Sequence, residues 1–240
     1  MTSAMQNGSD YTERRAWIAE YFDRTAANAW AQLTSDAPVG RIRESVRAAR
    51  ARMRTTLSSW LPQDLTGARI LDAGCGTGML AIDLAQRGAQ VLAIDLSPTL
   101  VNLARERAPE ELSDRIDFRS GDMMDAALGT FDYVMAMDSI IHYRAPEMLS
   151  VITALSARTR KAILFTVVPS TPMLTVMRAV GRAFPRASRA PAVEPISAGV
   201  LNHGMQSCHA SGFHLERVLR ISGGFYTSQA CELVRREAVK

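Results

Sequence analysis

Between Asp72 and Asp138 the chain sets four carboxylates and three glycines at the points where short apolar runs end. Arg69-Ile70-Leu71-Asp72 closes one run. Gly74, Gly76 and Gly78 follow at every second position, and an amphipathic stretch opens at Met79. This spacing predicts a strand, a tight turn and a helix start. Glycines there let backbone approach a ligand closely, and the helix start offers unpaired N–H groups. Asp95 ends a second run, 21 residues beyond Gly74, where one carboxylate can accept from both hydroxyls of a ribose. Asp122, after Gly121, is placed to accept from a purine amino group; Leu96 and Met123 adjoin these two acids. Asp138 leaves a fourth run at the carboxyl edge, where open α/β sheets bind ligands. The chemistry expected is the holding of a nucleoside. A dinucleotide fingerprint is excluded, because its third glycine would fall on Met79.

The elements that position these residues follow from the same pattern. From Ala68 onward strands and helices alternate, which predicts a parallel, Rossmann-like α/β sheet with helices on both faces. Strands are expected at Arg69–Asp72, Gln90–Asp95, Arg115–Arg119, Phe131–Met137 and Lys161–Val168. An antiparallel hairpin, Phe213–Ile221 and Phe225–Val234, closes a sheet of seven. Ser97 reads as an N-cap before Pro98. Ahead of the sheet, residues 1–62 read as a helical N-terminal arm, with one helix over 10–32 and a second from Pro38. In the second, Ile42, Val46, Ala49, Met53 and Leu57 recur at helical spacing. Residues 63–240 form the main domain. Five prolines bracket an insert over 169–197, read as a substrate lid because long connections are uncommon unless functional.

Composition narrows the class. The 240 residues are 47% hydrophobic and 22% charged, ordinary for a globular protein, and no run approaches the length of a membrane span. The N-terminus lacks the apolar core of a signal peptide, so a cytoplasmic location and reduced Cys75, Cys208 and Cys231 are expected. The cysteine spacing gives no metal site. Net charge is +4, and six arginines against Glu44 alone lie between Arg41 and Arg54. Such a cluster suits a solvated helix face, an anionic substrate, anionic lipid headgroups or nucleic acid, with peripheral membrane contact as a further expectation. No recognition module for nucleic acid is present.

With Gly at the first, third and fifth places, the turn closely resembles that of the class I S-adenosylmethionine-dependent methyltransferases. That resemblance implies S-adenosylmethionine as cofactor and S-adenosylhomocysteine as product. Asp72, Gly74, Gly76, Gly78, Asp95, Leu96, Asp122, Met123 and Asp138 become the cofactor-binding residues, with Asp72 orienting the turn and the amino end of the ligand. The stretch Ala136-Met137-Asp138-Ser139-Ile140-Ile141-His142-Tyr143 lacks the Asp/Asn-Pro-Pro-aromatic motif of base-amino methyltransferases and suits an oxygen acceptor better.

Four further motifs sharpen the likeness. The Asp138–Tyr143 loop, Glu20-Tyr21-Phe22-Asp23 with Trp30 and Pro38-Val39-Gly40-Arg41-Ile42-Arg43, and Ser222-Gly223-Gly224-Phe225-Tyr226 resemble the magnesium-protoporphyrin IX O-methyltransferases of bacteriochlorophyll synthesis. Gly40 stands where that family has Ser. The resemblance implies methyl transfer to a propionate of magnesium-protoporphyrin IX, with magnesium present only as part of the substrate. It implies Tyr21 and His142 as the residues that orient the reacting carboxylate, and delivery of the porphyrin by a subunit of the magnesium chelatase. Arg43 and Arg178 are candidates for the distal propionate, and Met177 for the macrocycle face. A quinone or phenol acceptor would share every cofactor residue. A nucleotide-binding module without catalysis, or a nucleic-acid-associated protein, is the alternative of another class.

Overall fold

The computed structural model describes residues 2–26, 30, 34, 40–170, 193–209 and 212–236. Seven strands form one mixed sheet: β1 (Arg69–Ala73), β2 (Gln90–Asp95), β3 (Ile116–Ser120), β4 (Phe131–Ala136), β5 (Thr159–Val167), β6 (Phe213–Gly223) and β7 (Tyr226–Arg235). Their order is β3-β2-β1-β4-β5-β7-β6, with β7 antiparallel to both neighbours and the first five strands parallel. The expected strands are present, each shifted by at most two residues. The hairpin turns at Gly224-Phe225, because Ser222 and Gly223 still pair with Thr227 and Tyr226.

Alternation along each strand feeds two cores. Leu71, Ala73, Val134, Ala136, Ile163 and Phe165 face one way, onto α5 (Ala145–Ala157), α6 (Ala198–His209) and Ile18 of α1 (Thr2–Glu20). Ile70, Tyr133, Met135 and Leu164 face the other, onto α2 (Arg41–Ser59), α3 (Met79–Gln86) and α4 (Pro98–Arg107). Strands covered on both faces read as continuous apolar runs for this reason.

The arm differs from expectation. Its first helix spans Thr2–Glu20 and gives way to a π-helical turn, Tyr21–Ala26. The second helix begins at Arg41, after an extended Gly40, rather than at Pro38. Ala49, Met53 and Leu57 are buried as the spacing predicts, but Ile42 is 59% exposed, because the first turn of α2 projects beyond the core. Most of the expected lid lies outside the described residues, with Met177 and Arg178 in it. Its stem is described: Pro169 pairs in parallel with Ile196, closed by Ile196 N–H to the Val168 carbonyl (2.8 Å) and Ser170 N–H to the Ile196 carbonyl (2.9 Å).

Candidate active site

At the carboxyl ends of β1, β2 and β4 a cavity of about 310 Å³ is enclosed between the Gly turn and the arm. The turn is built by backbone that only glycine adopts readily. Gly74 has φ 84° and Gly76 φ 52°, and the Gly74 and Cys75 amides both donate to the Ile94 carbonyl, at 2.8 and 3.0 Å. A Cβ at Gly74 would lie 2.2 Å from Ser139 Cβ, so the turn and the end of β4 are in direct contact. At Gly76 a Cβ would meet nothing within 4 Å, and that residue faces the cavity. Gly78 packs elsewhere, against Ala104 and Phe118, as the left-handed N-cap of α3.

Asp95 binds the turn to the start of α4: one oxygen accepts from the Gly76 amide (2.8 Å) and the other from the Ser97 amide (2.9 Å). Burial raises its pKa. Asp72, 1% exposed, is pushed up to about 7 by burial first and by the nearby Asp95 second. Among the described residues its Oδ2 has no hydrogen-bond partner, and Asp72 lines the cavity. An orphaned buried carboxylate oxygen beside an open glycine turn fits a ligand that brings a cation, as the ammonium of S-adenosylmethionine does.

Asp138, at φ 53°, is held in left-handed backbone by its surroundings. Its amide donates to Thr166 Oγ1 (2.7 Å), and its carboxylate accepts from Tyr226 Oη (3.0 Å) and Arg50 Nε (2.9 Å). Arg50 also lies over the Trp30 ring, 4.1 Å from its centroid. Along α2, Arg43, Arg47, Arg50 and Arg54 fall on one face at helical spacing. The inner three line the cavity, while Arg43 stands exposed one turn farther out. Arg54 is paired with Asp83 at 2.6 Å.

Beyond β4 the turn Ile140–His142 carries His142 into the cavity wall, 5% exposed, its ring 5.3 Å from that of Phe22. Arg14 fixes this turn by donating to the His142 carbonyl (2.9 Å) while paired with Glu194 (2.7 Å). Tyr21 is half-buried and is not among the lining residues. Its ring meets Phe22 edge-on at 5.6 Å, and burial raises its pKa.

Of the cofactor residues expected from sequence, Asp72, Gly74, Gly76, Asp95, Leu96, Met123 and Asp138 line one cavity. Asp122 does not. Tyr11 Oη (2.7 Å) and Arg15 (2.5 Å) of α1 occupy its two carboxylate oxygens. The arginine cluster was visible in sequence, but not which of its members turn inward. Nothing local marks Tyr11 or Arg15, whose partner lies 111 and 107 residues away, and the Ser222–Tyr226 motif does not show that Tyr226 reaches Asp138, 88 residues away.

The chain matches a family profile described as the C-terminus of magnesium-protoporphyrin IX methyltransferase over residues 136–235, and a general methyltransferase-domain profile over 70–162. It is 48% identical to a magnesium-protoporphyrin O-methyltransferase of Rhodobacter capsulatus, over 93% of this chain and 98% of that one. It is 29% identical to one of Synechocystis, over 91% and 95%. A crystal structure of the Synechocystis magnesium protoporphyrin IX methyltransferase with bound S-adenosylhomocysteine superposes with a TM-score of 0.81, at 28% identity, covering 92% of this chain and 99% of that one. The cavity at the Gly turn, the seven-stranded sheet and near-complete coverage at this identity agree: the chain belongs to the family of S-adenosylmethionine-dependent magnesium-protoporphyrin O-methyltransferases.

Proposed function

We propose that the protein methylates one propionate of magnesium-protoporphyrin IX, using S-adenosylmethionine and giving the monomethyl ester and S-adenosylhomocysteine. The observation that carries this is a single cavity in which the nucleoside-binding side, at Gly76 and Asp95, is continuous with His142 and the inner face of α2. Methyl donor and carboxylate acceptor can therefore meet in one enclosed space.

When bound, S-adenosylmethionine supplies a methyl group on a sulfonium, which an oxygen of the propionate takes as the carbon–sulfur bond breaks. A propionate is already ionised near neutral pH, so no strong base is needed. The protein's work is to hold that oxygen in line and to exclude water. Asp95 would take the ribose hydroxyls, Asp72 the ammonium, and the open Gly76 backbone the close approach. His142, fixed from behind by Arg14, would orient the reacting carboxylate through its imidazole, with Tyr21 assisting from the rim beside Phe22. Arg43, one turn outside the cavity-lining Arg47, would pair with the distal propionate. Met177 would meet the macrocycle, since Met adapts to large apolar ligands, and Arg178 the distal propionate. Asp122 would serve the adenine amino group once Tyr11 and Arg15 release it.

The exposed Ile42 and Phe225 flank the arginine-rich start of α2, a composition suited to peripheral contact with an anionic membrane surface. Among the described residues no helix is long and apolar enough to cross a membrane. Handover of the porphyrin from the chelatase is part of the same proposal.

The test is methyl transfer from labelled S-adenosylmethionine to magnesium-protoporphyrin IX, with zinc and metal-free porphyrins in parallel. The expected result is label in a base-labile porphyrin ester. Cofactor binding without transfer to any porphyrin would move the reaction to another oxygen acceptor.

A further inference from the structure

The Arg50 guanidinium is the unusual feature of this cavity. S-adenosylmethionine brings a sulfonium and an ammonium, yet three arginines of α2 line the same cavity as the Gly turn. Such a lining repels the cofactor unless anions lie against it. Arg54 has Asp83 for that purpose. Arg50 has Asp138, but only through Nε. Among the described residues no acceptor engages its two Nη groups. Its side chain is 19% exposed, and Trp30 covers the guanidinium plane.

Asp138 is in turn saturated, accepting from Arg50, Tyr226 Oη and Thr166 Oγ1. A carboxylate so occupied fixes a neighbour better than it recruits a ligand. The left-handed backbone at Asp138 aims it, and the Trp30 face sets the plane of the guanidinium. An arginine held at one edge and on one face presents a rigid fork, the geometry that matches a carboxylate in two parallel hydrogen bonds. In the same cavity, Asp72 Oδ2 is buried and, among the described residues, without a partner. One fixed cation and one orphaned carboxylate oxygen form a site for a zwitterion.

We infer that Arg50 binds the α-carboxylate of the amino-acid end of S-adenosylmethionine, and that Asp138 and Trp30 act as its positioning residues. This deepens the proposed function and rests on it. Arg50 thereby sets cofactor specificity: ligands carrying the nucleoside, the sulfur and the ammonium but no carboxylate bind weakly.

The experiment uses the full chain and calorimetric titration with two ligands. S-adenosylhomocysteine carries the carboxylate; its decarboxylated aminopropyl analogue differs by that group alone. The wild type is expected to prefer S-adenosylhomocysteine by at least about tenfold, the range of a charge-assisted bond. Arg50→Gln should erase the preference by weakening S-adenosylhomocysteine alone; unchanged analogue affinity then shows an intact site. Arg50→Lys, which keeps the charge and loses the fork, should retain part of the preference and decides the matter if Arg50→Gln does not fold. Equal loss for both ligands, or a preserved preference, would overturn the assignment. So would unchanged cofactor affinity with a raised KM for the porphyrin, which would give Arg50 to a propionate. Failure of the wild type to bind S-adenosylhomocysteine at all would instead overturn the methyl-transfer proposal.

Discussion

Asp23, in the π-helical turn of the arm, accepts a hydrogen bond from the hydroxyl of Ser97 at 3.0 Å, two residues beyond Asp95. The same oxygen accepts from the Thr99 amide at 3.2 Å, so a residue 76 positions away completes the cap of α4. The arm is thus bonded to the loop that carries the ribose-binding candidate. Asp23→Ala should cost about 1 kcal/mol, as the loss of a helix cap does, and should weaken S-adenosylhomocysteine binding several-fold in calorimetry. Thr99, through its side chain and its amide, lowers the Asp23 pKa. Its contribution is therefore present above the unfolded value near 3.9 and is lost as pH falls through the lower folded value. Thermal melts of wild type and variant should converge only in strong acid.

Asp72 behaves in the opposite sense. Its folded pKa of about 7 lies above the unfolded value, so the folded chain holds the extra proton between these limits. The cost of this group is absent in acid, grows as pH rises from near 4, and is complete above 7. Asp72→Asn should raise the melting temperature of the ligand-free chain at about pH 8 and do so less at about pH 5. The same variant should bind S-adenosylhomocysteine at least about tenfold more weakly at pH 8, since the anionic partner of the ammonium is lost and an amide NH2 can take its place. A variant neither stabilised nor impaired would mean that Asp72 is not the ammonium partner.

Gly74→Ala should abolish cofactor binding. Two separate penalties act: the clash with Ser139 Cβ, and a positive φ that costs an L residue about 1–2 kcal/mol. Adding Ser139→Gly removes the first and not the second. The double variant should recover measurable affinity without reaching that of the wild type, which a paired titration reads directly.

His142→Ala should lower kcat by about a hundredfold with little change in the KM for S-adenosylmethionine, because misplacement of the reacting oxygen affects the transfer rather than cofactor binding. Tyr21→Phe should act in the same direction and less, since Tyr21 lies outside the cavity lining. A loss confined to cofactor affinity in both variants would remove them from the reacting end.

How far the sequence spoke for itself depended on the range of the contacts. The Gly turn, Asp95 and the alternation of Leu71 with Ile70 are set by neighbours in the chain, and those features lie where the pattern predicts. Asp122 is the contrary case. By sequence it resembles a ligand residue at the exit of β3, yet Tyr11 and Arg15 hold it from more than a hundred positions away. The π-helical turn at Tyr21–Ala26 has no signature in an apolar periodicity of 3.6. Ile42 fits that periodicity and is still exposed, because periodicity marks a helix face and not where the helix outruns its core. Arg50 was legible as one charge of a cluster; its function depends on Asp138 and Trp30 meeting it from two other segments.

The Pro169–Ile196 stem has an engineering consequence. The sheet closes its own hydrogen bonds at the base of the intervening segment, and Glu194 anchors the returning chain to the Ile141 carbonyl at 2.9 Å. All seven strands of the sheet lie outside the span between these two anchor points. Closing a longer loop over a fixed base costs only about 0.6 kcal/mol per doubling of length. Sequences of different length grafted between Ser170 and Glu194 are therefore expected to leave the sheet beneath intact.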